Sequence, residues 1–142
     1  MNWFTGKKIL VPLDFGEESC RAIDTALEIA NTAADVHIIH VATDLAVSSP
    51  EVIWEVHSDE IRRKNLEKTF RKKFADDKYR ELQFFVAFGD PGHGIADYAE
   101  QTATDLIVMP SHGRTGLKRL LVGSVTERVI RLAHCPVLVL RQ

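Results

Sequence analysis

Short apolar runs alternate with longer segments of helical periodicity along this chain. Apolar residues recur at helical spacing between Ala22 and Ala30, which predicts an amphipathic helix over residues 18–33. The apolar runs between the helical segments are too short for typical helices, and they are rich in β-branched and aromatic residues, which favours strands. We therefore predict five strands, at residues 9–11, 36–42, 82–87, 106–109 and 137–140.

Charged and capping residues indicate where the other helices lie. Residues 51–76 carry Phe70 and Phe74 four positions apart among many charges, so we expect a long surface helix there. Asp90 followed by Pro91 is typical of an N-cap and a proline at the first helical position, and predicts a short helix after the third strand. A last helix is expected before the fifth strand.

This alternation of strands and helices predicts right-handed crossovers and a parallel sheet. The expected fold class is α/β, an open, mostly parallel five-stranded sheet with helices on both faces. Ligands of such sheets bind beyond the carboxyl ends of the strands, where the order of connection reverses. The residues at those ends are Asp14, 41–43, 88–91 and 110–113.

The composition restricts the partners that we expect. The 142 residues, 45% of them hydrophobic, fit one domain over residues 1–142. A net charge of −2, from 18 basic and 20 acidic residues, argues against nucleic acid and against an anionic membrane as partners. The basic residues of the segment 51–76 are interpreted as a solvated helix face rather than as a nucleic-acid stripe.

The sequence also predicts the cellular compartment, through its lack of targeting segments and of paired cysteines. The first strand begins too early for a signal peptide, and no apolar stretch is long enough to cross a bilayer. Cys20 and Cys135 show no metal or redox spacing, and they are interpreted as small core residues. We therefore expect a reduced protein in the cytoplasm, without membrane attachment.

Residues 109–126 form a glycine-rich loop between the fourth strand and the last helix. Gly113 and Gly116 let main-chain amides approach an anion. Gly123 and Ser124 stand where the helix begins, so the free amides and the positive end of the helix dipole face the same point. The loop also holds side chains suited to bind phosphate, namely Arg114, Lys118, Arg119, Ser111, Ser124 and Thr126.

Structural alternatives exist for two of these features. Ser124 and Glu127 have the spacing of a capping box, in which they only secure the start of a helix. Asp14 is well placed to accept hydrogen bonds from ribose hydroxyls, but its spacing to Glu17 is also that of a capping box.

The loop resembles the ATP-binding motif of the universal stress protein family, in which glycine, two residues, glycine, nine residues and Gly-Ser or Gly-Thr follow one another. Gly113, the nine residues 114–122, Gly123 and Ser124 match this pattern. Pro110 stands in place of the first glycine and has no amide hydrogen, so a contact made there is altered. Three further segments resemble strands of the family, and the resemblance covers nearly the whole chain: 9–14, 105–109 and 135–140.

The resemblance implies a Rossmann-like fold of the adenine nucleotide alpha hydrolase type. It also implies that the protein binds ATP or a related adenine nucleotide, and it leaves open whether Mg²⁺ accompanies the nucleotide. Asp14 would contact the adenosine part, and Val41 would hold the adenine edge through its backbone. Gly113, Gly123 and neighbouring residues would line the phosphates. The nucleotide-binding residues predicted are Pro12, Leu13, Asp14, Val41, Met109, Ser111, His112, Gly113, Arg114, Gly123, Ser124, Val125 and Thr126.

We expect a regulatory stress-response protein rather than an enzyme. The sequence has no Gly-x-x-x-x-Gly-Lys-Ser/Thr motif, and no acidic pair for a metal or poised catalytic base is evident. His112 is interpreted as a ligand contact. One alternative is a dimeric scaffold that has lost ATP, which Pro110 and Gly16 favour. Another is a weak ATPase or self-phosphorylating protein with Ser124 or Ser111 as the acceptor.

We also expect a homodimer through the C-terminal strand Val137–Leu140. A strand at the end of the chain is expected at an edge of the sheet, where unpaired backbone groups can pair with a symmetric copy. The family pairs in this way, so the resemblance implies the same arrangement.

Overall fold

A parallel sheet of five strands forms the centre of the fold. The computed structural model describes residues 6–43, 59–112 and 122–141. All strand pairs are parallel, and the order in the sheet is β3-β2-β1-β4-β5. The predicted α/β class is therefore confirmed, and the strands are β1 (Ile9–Pro12), β2 (Val36–Ala42), β3 (Gln83–Phe88), β4 (Leu106–Pro110) and β5 (Val137–Leu140).

Helices connect these strands, as the sequence pattern predicts. Within the three described ranges the α-helices are α1 (Glu17–Ile29), α2 (Asp59–Lys73), α3 (Pro91–Gln101) and α4 (Ser124–Leu132), and short 3-10 helices cover Ala33–Asp35 and Asp77–Tyr79. Asp90 and Pro91 hold the predicted N-cap and first position of α3. Residues 51–58, which we also predicted as helical, lie outside the described ranges.

The predicted end of the first helix is wrong. We expected the helix to reach residue 33, but it ends at Ile29, and Ala30 is already extended at ψ 151°. The hydroxyl of Thr32 donates to the carboxylate of Asp35. Such short polar side chains bond locally and compete with the helical backbone bonds, so the chain turns here.

Two hydrophobic clusters lie on opposite faces of the sheet, because successive strand residues point to opposite sides. Ile9 and Val11 of β1 face the cluster covered by α1 and α2, whereas Leu10 faces the cluster covered by α3 and α4. The expected helices on both faces are therefore present. Cys20 packs against the first cluster and Cys135 against the second. Burial raises the pKa of both thiols, which makes them weak nucleophiles.

A pair of phenylalanines anchors the charged helix α2 to the sheet. The Phe70 side chain is fully buried, and its ring stacks on Phe84 of β3 with centroids 4.4 Å apart. Phe74, which directly follows the last residue of α2, lies 5.0 Å from Phe70 between ring centroids and is also buried. Most other side chains of α2 are exposed, so these rings supply the apolar contacts that hold the helix. Among the described residues, no helix combines the length and apolar character needed to cross a membrane.

We predict that Phe70→Ala destabilises the fold strongly. Removing the ring leaves a cavity under α2, which costs about 3–5 kcal/mol of unfolding free energy. Urea denaturation measures this loss. Ile61→Ala on the same helix is the control, because Ile61 is 58% exposed and its truncation is expected to cost less than about 0.5 kcal/mol. Equal losses in the two variants would contradict this account of α2.

Candidate functional site

A cleft lies at the carboxyl ends of β1 and β4, where the direction of strand connection reverses. The chain runs from β1 outward to β2 and β3, and then returns to place β4 and β5 on the other side of β1. This is the position at which open α/β sheets bind ligands. The cleft has a volume of about 140 Å³, and its walls come from the ends of β1, β2 and β4 and from the N-terminal parts of α1, α3 and α4.

Two prolines end the pairing between β1 and β4 at this cleft. Only the first two residues of β1 pair with residues of β4, Ile9 with Leu106 and Leu10 with Ile107. Amide directions alternate along a strand. The Leu106 amide points towards β1 and the Leu13 amide towards β2, so the Pro110 nitrogen faces β1 and the Pro12 nitrogen faces β4. Neither nitrogen carries a hydrogen, and the next bonds between the strands cannot form.

The cleft brings together most of the predicted binding residues that the structure describes. Its lining is mainly apolar, with carboxylate, imidazole and hydroxyl groups placed among the aliphatic side chains. Eight predicted residues line it: Pro12, Leu13, Asp14, Val41, Met109, His112, Val125 and Thr126. Ser111, Gly123 and Ser124 lie nearby but not in the lining. Gly113 and Arg114 lie outside the described residues.

Six further residues line the cleft without having been predicted as binding residues, namely Ser19, Ile39, His40, Pro91, Ile95 and Pro110. A signal existed for Pro91 and Ile95, because the helix that carries them follows the carboxyl end of β3, which was already a candidate region. Four positions separate them, so both lie on one face of α3. Ser19 reaches the cleft through a turn that the sequence alone does not specify.

Asp14 stabilises the turn between β1 and α1 and also lines the cleft. Its Oδ1 accepts a hydrogen bond from the Gly16 amide at 2.8 Å and another from the Ser19 hydroxyl at 2.9 Å. The N-cap of α1 is Gly16, so the alternative interpretation of Asp14 as the N-cap residue is wrong. The carboxylate is held at the cleft by the turn itself.

The residue after Asp14 has an uncommon backbone conformation. Phe15 lies in the left-handed region at φ 64°, which is unfavourable for a bulky side chain. Three contacts hold the turn in place. Lys73 donates to the Phe15 carbonyl at 3.0 Å, the Phe15 ring packs edge-on against His40, and His40 Nδ1 donates to the Leu13 carbonyl at 2.7 Å.

The start of α4 is not closed by a side-chain cap. Its N-cap is Gly123, which has no side chain to bond the helix amides, and Ser124 is the first helical residue. The alternative interpretation of Ser124 and Glu127 as a capping box is therefore wrong. The first amides of a helix have no intrahelical partners, so this end presents hydrogen-bond donors and positive potential.

Hydrogen bonds join the start of α4 to the end of β4. The Gly123 amide donates to the Ser111 carbonyl at 2.6 Å, and the buried Thr126 hydroxyl donates to the Pro110 carbonyl at 2.9 Å. The Ser111 hydroxyl lies 3.1 Å from His112 Nδ1. Thr126 and Ser111 therefore fix the position of α4 as well as lying at or beside the cleft.

Asp90 connects the start of α3 with α4. Its Oδ2 accepts from the His93 amide at 3.0 Å and from His93 Nδ1 at 2.7 Å, and its Oδ1 accepts from Arg128 at 2.8 Å. Hydrogen bonds lower the pKa of Asp90 from 3.8 to about 2. The bond from the His93 amide has the largest effect, followed by those from the His93 ring and from Arg128. No group of three His, Cys, Asp or Glu side chains suited to a metal occurs in the described parts of the chain.

Comparison with known proteins identifies a family. The profile of the Universal stress protein family matches residues 6–141. Universal stress protein MJ0531 of Methanocaldococcus jannaschii is 39% identical over 141 residues, covering 96% of this chain and 82% of that protein. The solved structure of universal stress protein UspA from Lactobacillus plantarum has a TM-score of 0.73 at 28% identity, covering 95% of this chain and 97% of that one.

Two more distant structures share the fold and hold an adenine nucleotide. One is a universal stress protein in complex with cAMP, at 22% identity and a TM-score of 0.61, covering 95% of this chain and 96% of that one. The other is an Arabidopsis thaliana family protein with AMP bound, at 19% identity and a TM-score of 0.58, covering 96% of this chain and 92% of that one. At these identities the likeness to the present chain is one of fold.

We predict that Asp90 makes stability depend on pH below its ordinary pKa. A carboxyl whose pKa is lowered on folding stabilises the protein above its unfolded pKa, and this contribution is lost as pH falls. The difference in Tm between the wild type and Asp90→Asn should therefore be full above pH 3.8 and shrink as the pH falls to about 2. Thermal unfolding of both proteins across this range measures it. A difference that stays constant would show that the carboxylate does not act in this way.

Proposed function

This chain belongs to the universal stress protein family, and we propose that it binds ATP or a closely related adenine nucleotide in the cleft between β1 and β4. In this proposal the protein acts in the cytoplasm as a regulatory component of a stress response. Nucleotide binding would change its shape or its affinity for partners. The observation that carries the proposal is a mostly apolar cleft with one carboxylate, Asp14, at the switch point of the sheet.

The lining of the cleft suits the two parts of a nucleoside. A purine ring would lie against aliphatic side chains such as Val41 and Ile95, which exclude water from its faces. The carboxylate of Asp14 would accept hydrogen bonds from ribose hydroxyls. The backbone of Val41, at the end of β2, would bind the edge of the adenine.

The phosphates would extend towards the first turn of α4. Gly123 leaves the first amides of the helix without a side-chain cap, and such amides together with the helix dipole attract anions. Ser124 is exposed beside them and would donate its hydroxyl to a phosphate oxygen. Gly113 and Arg114 are proposed to complete this part of the site, and Mg²⁺ would accompany the phosphates.

Pro110 makes a scaffold without nucleotide the second candidate function. It takes the place of a glycine of the family motif, so an amide donor is missing there. In the structure, however, the Pro110 nitrogen faces β1, and its carbonyl already accepts the Thr126 hydroxyl. The proline is therefore part of the frame of the cleft, which supports nucleotide binding over the scaffold.

We predict that purified protein releases an adenine nucleotide on denaturation, as identified by mass spectrometry, and binds ATP in calorimetry. Asp14→Asn removes the charge that would accept from ribose while keeping the size of the side chain. Its affinity should fall about tenfold, the usual cost of losing a hydrogen bond to a charged group.

Asp97→Asn is the matched control, because Asp97 is exposed on α3 and does not line the cleft. Its affinity for ATP should equal that of the wild type. Wild-type protein that retains no nucleotide and shows no heat with millimolar ATP would leave the scaffold as the better description.

We further propose a homodimer formed through β5. This strand pairs with β4 on one side, and in the described residues its other edge has no strand partner. Leu138 of this strand is 38% exposed. An unpaired edge with an exposed apolar side chain is suited to pair with a symmetric copy of itself.

We predict that Leu138→Lys weakens this dimer, because a charge would have to be buried between the two copies. Light scattering should give a dimer mass for the wild type and a larger monomer fraction for the variant. Ile61→Lys is the control, since Ile61 is exposed on α2, on the far side of the sheet from β5. A monomeric wild type, or equal dissociation of both variants, would contradict an interface at β5.

A further inference from the structure

Two helix ends form facing parts of the cleft wall. Pro91 and Ile95 line the cleft from the first turns of α3, and Val125 and Thr126 line it from the first turn of α4. Each pair belongs to a separate helix, so the spacing between them depends on how the two helices are held together. A ligand seated in the cleft would be sensitive to that spacing.

Arg128 of α4 crosses to the first turn of α3. Its guanidinium donates to the Asp90 carboxylate, which is also the N-cap of α3. Its aliphatic stem lies directly over Gly92, where an added Cβ would be only 2.5–2.9 Å from the stem carbons. No side chain other than hydrogen fits at this position unless Arg128 moves. The arginine therefore contacts α3 through both its charge and its stem.

Two other contacts secure the same walls. Gly94 of α3 packs on Val41 of β2, and an added Cβ there would be 3.1 Å from both methyl groups of the valine. The Thr126 hydroxyl bonds the Pro110 carbonyl of β4. β2, α3, α4 and β4 are thus linked in succession around one side of the cleft, and Arg128 supplies the link between the two helices.

The ion pair is poorly placed to stabilise the whole fold. The side chains of Arg128 and Asp90 are 49% and 42% exposed, and exposed ion pairs contribute little to unfolding free energy because water screens them. The location of the ion pair indicates a local role instead, because Asp90 directly precedes Pro91, which lines the cleft. A contact with little effect on global stability can still fix local geometry.

We infer that Arg128 is a positioning residue of the nucleotide site, holding the first turn of α3 against α4 through Asp90 and Gly92 so that the two walls keep the spacing that the ligand needs. This inference rests on the proposed function, because it presupposes a nucleotide in the cleft. Arg128 itself does not line the cleft, so it acts through Pro91 and Ile95.

The test compares Arg128→Gln with Arg131→Gln. Arg131 is the matched control, because it lies on the same helix and its ion pair with Glu127 stays within that helix. Calorimetry with ATP should show affinity roughly threefold to tenfold weaker for Arg128→Gln, as for other coupled neighbouring residues, and unchanged for Arg131→Gln. The Tm of both variants should remain close to that of the wild type.

One more variant separates positioning from a general structural effect. Arg128→Lys keeps the charge and most of the stem and should recover part of the affinity. If Arg128→Gln binds ATP like the wild type, or if Arg131→Gln loses as much affinity, the inference is wrong.

Hydrogen exchange of the ligand-free proteins distinguishes the inference from the proposed function. Arg128→Gln should speed amide exchange in the first turn of α3, and Arg131→Gln should not. Faster exchange in α3 without any ATP binding by the wild type would mean that the link exists and that the proposed function fails. Unchanged exchange in α3 would overturn the positioning role whatever the wild type binds.

Discussion

The missing amide hydrogens of Pro12 and Pro110 are the constraint on which the site depends. The Pro12 nitrogen faces β4 and the Pro110 nitrogen faces β1. The hydrogen-bond ladder between β1 and β4 therefore stops after two residue pairs, although both strands continue. The turn after β1 presents Asp14 on one side, and the segment after β4 leads to α4 on the other. The prolines thus prevent further pairing of β1 with β4 at the switch point where the topology places the cleft, and side chains shape its lining.

The fold could be predicted largely from the spacing of apolar residues, because buried parallel strands and amphipathic helices have different periods. The five strands lie where the apolar runs are. The end of α1 could not be predicted in this way, since it depends on competition between helical bonds and the local bonds of Thr32 and Asp35. The Cys20 and Cys135 positions show a similar limit, because apolar character places them near the core but leaves their half-burial unspecified.

The site could be predicted where it follows strand ends and missed where it depends on packing. Asp14, Val41 and Met109 come at or near the ends of strands, so the topology places them together. Ser19 enters the lining through the turn around Phe15, whereas His40 lines the cleft from β2 itself. That turn requires contacts from α2 and β2 that are distant in sequence. The alternative interpretation of Asp14 and Ser124 as capping-box residues is wrong for a simpler reason. A glycine, Gly16 or Gly123, precedes each helix and takes the N-cap position, so the spacing of acidic and hydroxyl residues alone is a poor guide.

The strained turn at Phe15 has a consequence for the thermodynamics of any ligand that uses Asp14. The left-handed backbone is held by Lys73, His40 and Ser19 through contacts that form when the chain folds. The carboxylate is therefore ordered when the chain folds, and the loss of conformational entropy needed to orient it belongs to folding rather than to binding. A ligand arriving at the cleft meets a rigid acceptor, so selectivity there would come from how well its hydroxyls match a fixed direction.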